Sequence, residues 1–272
     1  MEIKLTMWRR IKMSEQVNFQ YVDTKKEGTH SVELCKGEIN GARPVHHKIA
    51  SGDSLTFEAN VGYYHILILL DGCAVFTTNG KDYKFDGRTT FVSDPKKSLV
   101  VKAESDTRIL EIQWDEEDGD EADLKEYKTE FPVIVPYQDS IQYIDPNKSE
   151  KTISRMMIPH EIIPRFTIGS VESYGYDLVR PHAHPMLDQF FYSFAENDME
   201  VIIDDGKYNM KGDAIIHIPL GSNHGAEVTG DRHMHYMWVD FMPDKEAGLK
   251  RLNFSHRPTG TVRDFANEDK TR

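Results

Sequence analysis

Cysteine is nearly absent from this chain. Cys35 and Cys73 are the only two in 272 residues, too few for the disulfide framework that holds many small secreted domains together. Long apolar runs are missing as well. The longest, Ile66 to Leu70, is far short of the roughly 20 residues a membrane helix needs. No charged leader with a long apolar core opens the chain, so the expected compartment is the cytoplasm and no membrane partner is expected. Residues 1–12 carry charge and a Trp but no pattern, and Met13 is a plausible natural start. Positive charge is in deficit: 33 Lys and Arg stand against 45 Asp and Glu, a formal charge of −12. A nucleic-acid surface needs concentrated Lys and Arg, so that class of partner is set aside. The expected partners are small molecules and further copies of the same chain. A hydrophobic content of 39% is enough to bury a core.

The first half reads as strands. From Phe19 to Lys48, mixed polar and apolar residues are broken by Gly28, Gly37 and Gly41. The stretch YYHILILLDGCAVFTTNGKDYKF is rich in β-branched and aromatic residues and carries Asn79-Gly80, a hairpin turn signal. Further strands follow to Trp114, broken at Asp94-Pro95. Adjacent His46 and His47 must face opposite sides of a strand and cannot chelate together. His65 stands alone and reads as a core or rim residue. The run DEEDGDEAD, Asp115 to Asp123, is expected to be a solvated linker, followed by a turn or two of helix before Pro132. Arg155, His160, Glu161 and Arg165 then lie among apolar residues. An arginine that reached a pocket there would suit a substrate carboxylate.

The richest stretch runs from Arg180 to Phe241. In RPHAHPMLDQFFYSF, His182 and His184 are two apart, so a strand would point both the same way. Gln189 offers a carbonyl oxygen five residues on, and PLGSNH brings His224 to the end of a turn. Three imidazole nitrogens and an oxygen fit Zn, Fe, Mn, Ni or Co, with positions left for water or substrate. A second pair, His233 and His235, has no oxygen donor or turn histidine behind it. That strand reads as packing, with His235 a candidate for the pocket.

The paired histidines, Gln189 and Pro219-Leu220-Gly221-Ser222-Asn223-His224 resemble the two metal motifs of the cupins. The resemblance implies an all-β fold of two double-stranded barrels with few short helices. The first barrel, 19–114, would lack a metal site, having Asp94-Pro95-Lys96-Lys97-Ser98 where a turn histidine would sit. An acidic crossover would fill 115–149, a metal-binding barrel 150–243, and a surface-wrapping tail 244–272, in which Phe254 and Phe265 could tuck onto a barrel or a neighbour. It implies His182, His184, Gln189 and His224 as ligands, zinc first among the metals. The sequence departs from the motifs in three places: Gln189 stands where Glu is usual, no glycine follows it at the usual distance, and Val228 replaces an asparagine.

Among two-barrel cupins, the segments KTISRMMIP, FFYSF and TTNGKDYKF are similar to those of isomerases acting on 4-deoxy-5-keto-uronates and 5-deoxyglucuronate. That resemblance implies ketol isomerisation of a small sugar acid through a metal-stabilised enediolate, and a homo-oligomer. A neutral amide in place of a carboxylate leaves one more positive charge on the site, favouring carbonyl polarisation over dioxygen activation. The ligands cannot supply the base. Tyr192, His235 and Glu200 are the candidate catalytic residues, with Asp188 and Asp240 also near in sequence. Asp188 faces away from Gln189 unless the strand bulges, and is the alternative oxygen ligand. An iron-dependent dioxygenase and a non-catalytic sugar-binding protein stay open as alternatives.

Overall fold

The structure, a computed structural model, describes residues 17–259. The readings of residues 1–12 and of Phe265 lie outside them.

Strands dominate, and they form four antiparallel sheets in two barrels. In the first barrel, a six-stranded sheet orders Val133–Pro136, Thr89–Val92, Tyr63–Asp71, Thr107–Asp115, Ala42–Ile49 and His30–Glu33. It faces a four-stranded sheet of Ser54–Phe57, Leu99–Ala103, Ala74–Thr78 and Lys81–Phe85. Ile49, Leu67, Leu69, Phe76, Phe91 and Val101 fill the space between. The Asn79-Gly80 hairpin forms as read, with φ of 50° and 70°, both in the left-handed region that this tight turn requires.

The second barrel pairs an eight-stranded sheet with a four-stranded one. The larger runs Phe19–Tyr21, Ala214–Ile218, Asp188–Ser193, His233–Phe241, Phe166–Tyr174, Ile153–Ile163, Ile141–Ile144 and Arg257–Pro258. The smaller holds Asp177–His182, His224–Val228, Asp198–Ile203 and Gly206–Lys211.

Alternation along His233–Phe241 shows how the barrels meet. Met234, Tyr236 and Trp238 point into the second barrel, while Met237, Val239 and Phe241 point out of it. The outward set joins Phe166, Ile168, Phe190 and Tyr192, and packs on Ile66, Ile68, Leu110 and Ile112 of the first barrel. Each buried Phe in this seam contributes about 1.5–3 kcal/mol. The barrels are thus joined through the backs of their larger sheets.

The chain order is less sequential than the expected boundaries. Phe19–Tyr21, assigned to the first barrel, adds instead to the edge of the second, on Ala214–Ile216. Val133–Pro136, assigned to the crossover, completes the first barrel's sheet on Thr89–Val92. Short strands carry too little local signal to choose a sheet; unpaired edges elsewhere in the fold choose for them.

The acidic run is also not a solvated linker throughout. Asp120 opens the helix Asp120–Tyr127 and is buried, because Arg165 Nη2 meets its Oδ2 at 3.0 Å and Tyr64 Oη donates to it at 3.2 Å. The tail, expected to wrap the surface, forms a helix at Lys245–Ser255 whose N-cap, Asp244, accepts from the Ala247 amide. Phe254 on it is 64% exposed.

Where the second barrel has its histidine cluster, the first has a self-satisfied one. Glu111 accepts from His47 Nε2 at 2.9 Å and His65 Nδ1 at 2.5 Å, and these neighbours offset burial to hold its carboxyl at about 2. His46, on the opposite face as expected, is buried with neither ring nitrogen hydrogen-bonded.

Candidate metal centre

His182 ends the strand Asp177–His182, and His184 lies just beyond it, in the loop leading to Asp188–Ser193. The pair therefore does not ride one strand as the two-residue spacing suggested. A register shift between Val179 and His182 and the loop after it turn both rings inward. His224 begins its strand directly across from His182. Gly225 permits that approach: a Cβ there would sit 2.5 Å from the Val179 carbonyl oxygen.

The three rings converge. Their centroids lie 4.7–5.6 Å apart, and one nitrogen from each falls within 4.8 Å of the others. His182 Nδ1 lies 2.8 Å from the Arg180 carbonyl oxygen, and His224 Nδ1 lies 3.0 Å from that of Ser222. Donation at Nδ1 places the lone pair on Nε2, the arrangement metal-bound histidines use. Burial, then the neighbouring imidazoles, hold His184 at about 4 and His224 at about 3; burial lowers His182 too. All three are neutral near pH 7, as ligation requires.

Gln189 lines the same cavity. Its Nε2 donates to Asp240 Oδ1, and its Oε1 is buried without a hydrogen-bond partner. A buried carbonyl oxygen left bare beside three neutral imidazoles matches the needs of a divalent transition metal. Asp188 points to the opposite face, as alternation requires.

The candidate bases separate cleanly. Tyr192 is fully buried in the seam between the barrels, Glu200 sits on the outer face near Lys207 Nζ at 3.6 Å, and His235 lies on the seam face beside Glu172. None of the three lines the cavity, because each stands on the wrong parity of its strand to face inward. Asp240 does line it. Burial pushes its carboxyl up to about 7, against the pull of the Gln189 amide and Lys148.

Several lining residues had no motif to announce them. Asp145 and Lys148 come from the loop before Ile153, and Arg251, Ser255 and His256 from the C-terminal helix and its end. Lys148 is buried, donates to Tyr143 Oη at 2.7 Å and lies 3.7 Å from Asp145. Desolvation brings it down to about 8, with Asp145 opposing. The only available signal was the turn Asp145-Pro146-Asn147, which places polar residues near a barrel mouth. Arg155 does not reach this cavity; it pairs with Glu172 at the seam.

No family model matches the chain, and no curated protein does. Solved structures do. An IolB-like protein from Salmonella typhimurium is 11% identical over 84% of this chain and 93% of its own, with a TM-score of 0.64. A cupin 2 conserved barrel domain protein from Leptotrichia buccalis is 12% identical over 81% and 92%, with a TM-score of 0.54. A point mutant of the oxalate decarboxylase of Bacillus subtilis is 12% identical over 80% and 74%, with a TM-score of 0.57. Among the described residues, no helix is long and apolar enough to cross a membrane. With these neighbours and its paired antiparallel sheets, the chain has the cupin fold, built as two barrels.

Proposed function

We propose that the chain is a metal-dependent, non-redox enzyme that isomerises a small sugar acid or keto-sugar by moving a proton between adjacent carbons. The observation carrying this reading is the buried, unpartnered Gln189 oxygen beside three neutral imidazoles, with Lys148 and Arg251 in the same cavity. His182, His184, His224 and Gln189 would hold the metal, zinc by preference for nitrogen and oxygen donors. When bound it would supply Lewis acidity toward a substrate carbonyl.

The chain's own groups do the rest. Arg251 pairs its two-pronged donor face with the substrate carboxylate. Lys148, as the neutral amine, takes the proton from the hydroxyl-bearing carbon beside the carbonyl and as the ammonium returns it to the former carbonyl carbon, while the hydroxyl proton passes from its oxygen to the former carbonyl oxygen. Asp145 and Tyr143 hold the amine between transfers. Asp240 orients Gln189 and keeps its oxygen facing the cavity.

The cavity holds only about 30 Å³, against the about 300–1,000 Å³ of small-molecule sites. Arg251, Ser255 and His256 line one side of it, so a sugar acid would fit there only with the Lys245–Ser255 helix displaced outward.

The test is solvent deuterium incorporation. Metal-loaded protein is incubated with keto-uronates and 5-deoxyhexuronates, and label is followed at the carbon beside the carbonyl. Exchange that disappears in His224→Ala supports the reading. No exchange across the panel, or oxygen uptake with iron in its place, rejects it.

A further inference from the structure

A second group of metal-type donors sits outside the barrel, at the seam. Glu172 and His235 are cross-strand neighbours on Phe166–Tyr174 and His233–Phe241, and His233 lies two residues before His235 on the same face. One donor atom from each of the three falls within 4.8 Å of the other two. Glu172 Oε1 is 3.2 Å from His233 Nε2 and 3.8 Å from His235 Nδ1. Bonds of about 2.0–2.1 Å to a tetrahedral ion put donors about 3.3–3.4 Å apart. Glu196 Oε1 lies 2.7 Å from His235 Nδ1, an ion-pair distance, and stands outside the three-donor group.

The surroundings match those of metal ligands. His235 is 3% exposed, and its Nε2 lies 2.6 Å from Tyr137 Oη, which itself contacts Ser170 Oγ at 2.9 Å. Arg155 Nη1 binds the outer oxygen of Glu172 at 3.1 Å, leaving Oε1 directed at the histidines. His233 is stacked on Tyr174 with centroids 3.9 Å apart, which fixes its ring. Outer hydrogen bonds of this kind set the tautomer and direction of metal-bound histidines and carboxylates.

His235 Nδ1 is the decisive atom. It is buried and has no hydrogen bond of acceptable geometry, although Glu196 lies close in distance. In the tautomer that carries its proton on Nε2 toward Tyr137, Nδ1 presents its lone pair to the space shared with Glu172 and His233, where a cation could be bound. Arg88 lies 3.3 Å from Glu196 and Arg155 beside Glu172, so two guanidiniums already balance the carboxylates from outside.

We propose that Glu172, His233 and His235 form a second divalent-metal site at the junction of the two barrels, separate from the cluster of His182, His184 and His224. Zinc is the class of ion that suits two imidazoles and a carboxylate oxygen at these spacings. His235 and Glu172 also border a cavity of about 450 Å³, lined by Lys84, Arg88, Tyr137 and Arg155 among others, from which the ion and a completing water or small anion can enter. All three donors belong to the second barrel, and the first barrel reaches the site through Arg88, which lies 3.3 Å from Glu196.

The test is zinc stoichiometry on the full chain after chelator treatment, desalting and elemental analysis. The wild type is expected to hold about two equivalents, and a His182→Ala/His224→Ala double variant about one. His233→Ala and Glu172→Gln should each leave one equivalent in the otherwise wild-type chain, weakening the seam site more than about 100-fold. Cobalt in the double variant should give the visible bands of a four-coordinate nitrogen–oxygen site, lost in His233→Ala. A zinc content that His233→Ala leaves unchanged, or a folded double variant that holds no zinc, overturns the proposal. Should the double variant fold poorly by circular dichroism, the wild-type and His233→Ala comparison decides alone. Loss of the barrel site leaves this result untouched, so the two readings fail separately.

Discussion

Gln189 donates through Nε2 to Asp240 Oδ1, and that bond turns the amide oxygen of Gln189 into the cavity. Across the paired strands Asp188–Ser193 and His233–Phe241 the two residues are direct partners. Asp240 therefore acts on the centre without facing it as a ligand. Asp240→Ala should lower zinc affinity at the barrel site by about 10–100-fold, read by competition with a chromogenic chelator. Asp240→Asn, which keeps an oxygen acceptor, should lose much less. Equal losses in both variants would mean that the carboxylate charge matters, rather than the direction of the bond.

Lys148 should govern the ascending, low-pH limb of the pH profile. Its ammonium is brought down to about 8 by burial, so the neutral amine becomes more abundant as pH rises toward that value. As the base, it makes kcat/KM climb tenfold per pH unit below about 8 and level off above it. Lys148→Met should cut kcat by about 100–10,000-fold and abolish that limb. A variant with the limb intact would assign the proton transfer elsewhere.

Arg251 offers a clean separation of binding from chemistry. Arg251→Ala should raise KM for a uronate by about 10–150-fold, the worth of a charged hydrogen bond of about 1.5–3 kcal/mol. An analogue with a hydroxymethyl group in place of the carboxylate should show little change. Steady-state kinetics on the pair of substrates reads the difference directly.

Histidines make the metal-free chain acid-sensitive. Burial holds His46 and His224 at about 3 and His184 at about 4, all below the free imidazole value. Between pH 7 and pH 5 the unfolded chain takes up protons that the folded chain refuses, so stability falls as pH falls. Each site contributes about 1–2 kcal/mol over that window. Glu111, Glu172 and Glu196, all held at about 2, add nothing there, since their stabilisation is lost only below about pH 4.5. Urea unfolding at the two pH values measures the slope, and His46→Leu should flatten it. That variant also removes two unpaired buried nitrogens, so stability at pH 7 should rise by about 1–3 kcal/mol.

Strand pattern, hairpin signals and the spaced histidines were legible in the chain because each is a local property. Alternation along a strand, the Asn79-Gly80 dipeptide and the His182, His184, His224 spacing need only near neighbours to be read. The two-barrel plan came with the resemblance to cupins that the histidine motifs carry. What alternation could not supply was the face each strand presents. Tyr192 and His235 carry suitable chemistry for a base, yet their parity turns them to the seam, while Asp240 on the other parity reaches the cavity. Lys148, Arg251 and His256 were invisible because no motif links three residues of loop and tail, far away in sequence, to a histidine cluster.

The chain alone therefore determined that strands would form, where hairpins would turn, and which imidazoles could gather, while the closing of those strands into barrels was implied by the resemblance to cupins. The first three outcomes rest on periodicity and turn chemistry, which act over a few residues. Only the packed molecule decided which barrel receives Phe19–Tyr21 and Val133–Pro136, and which groups line the cavity. It also decided that Glu172, His233 and His235 meet at the seam. Such choices depend on the docking of surfaces far apart along the backbone, and hydrophobic burial is indifferent to sequence distance.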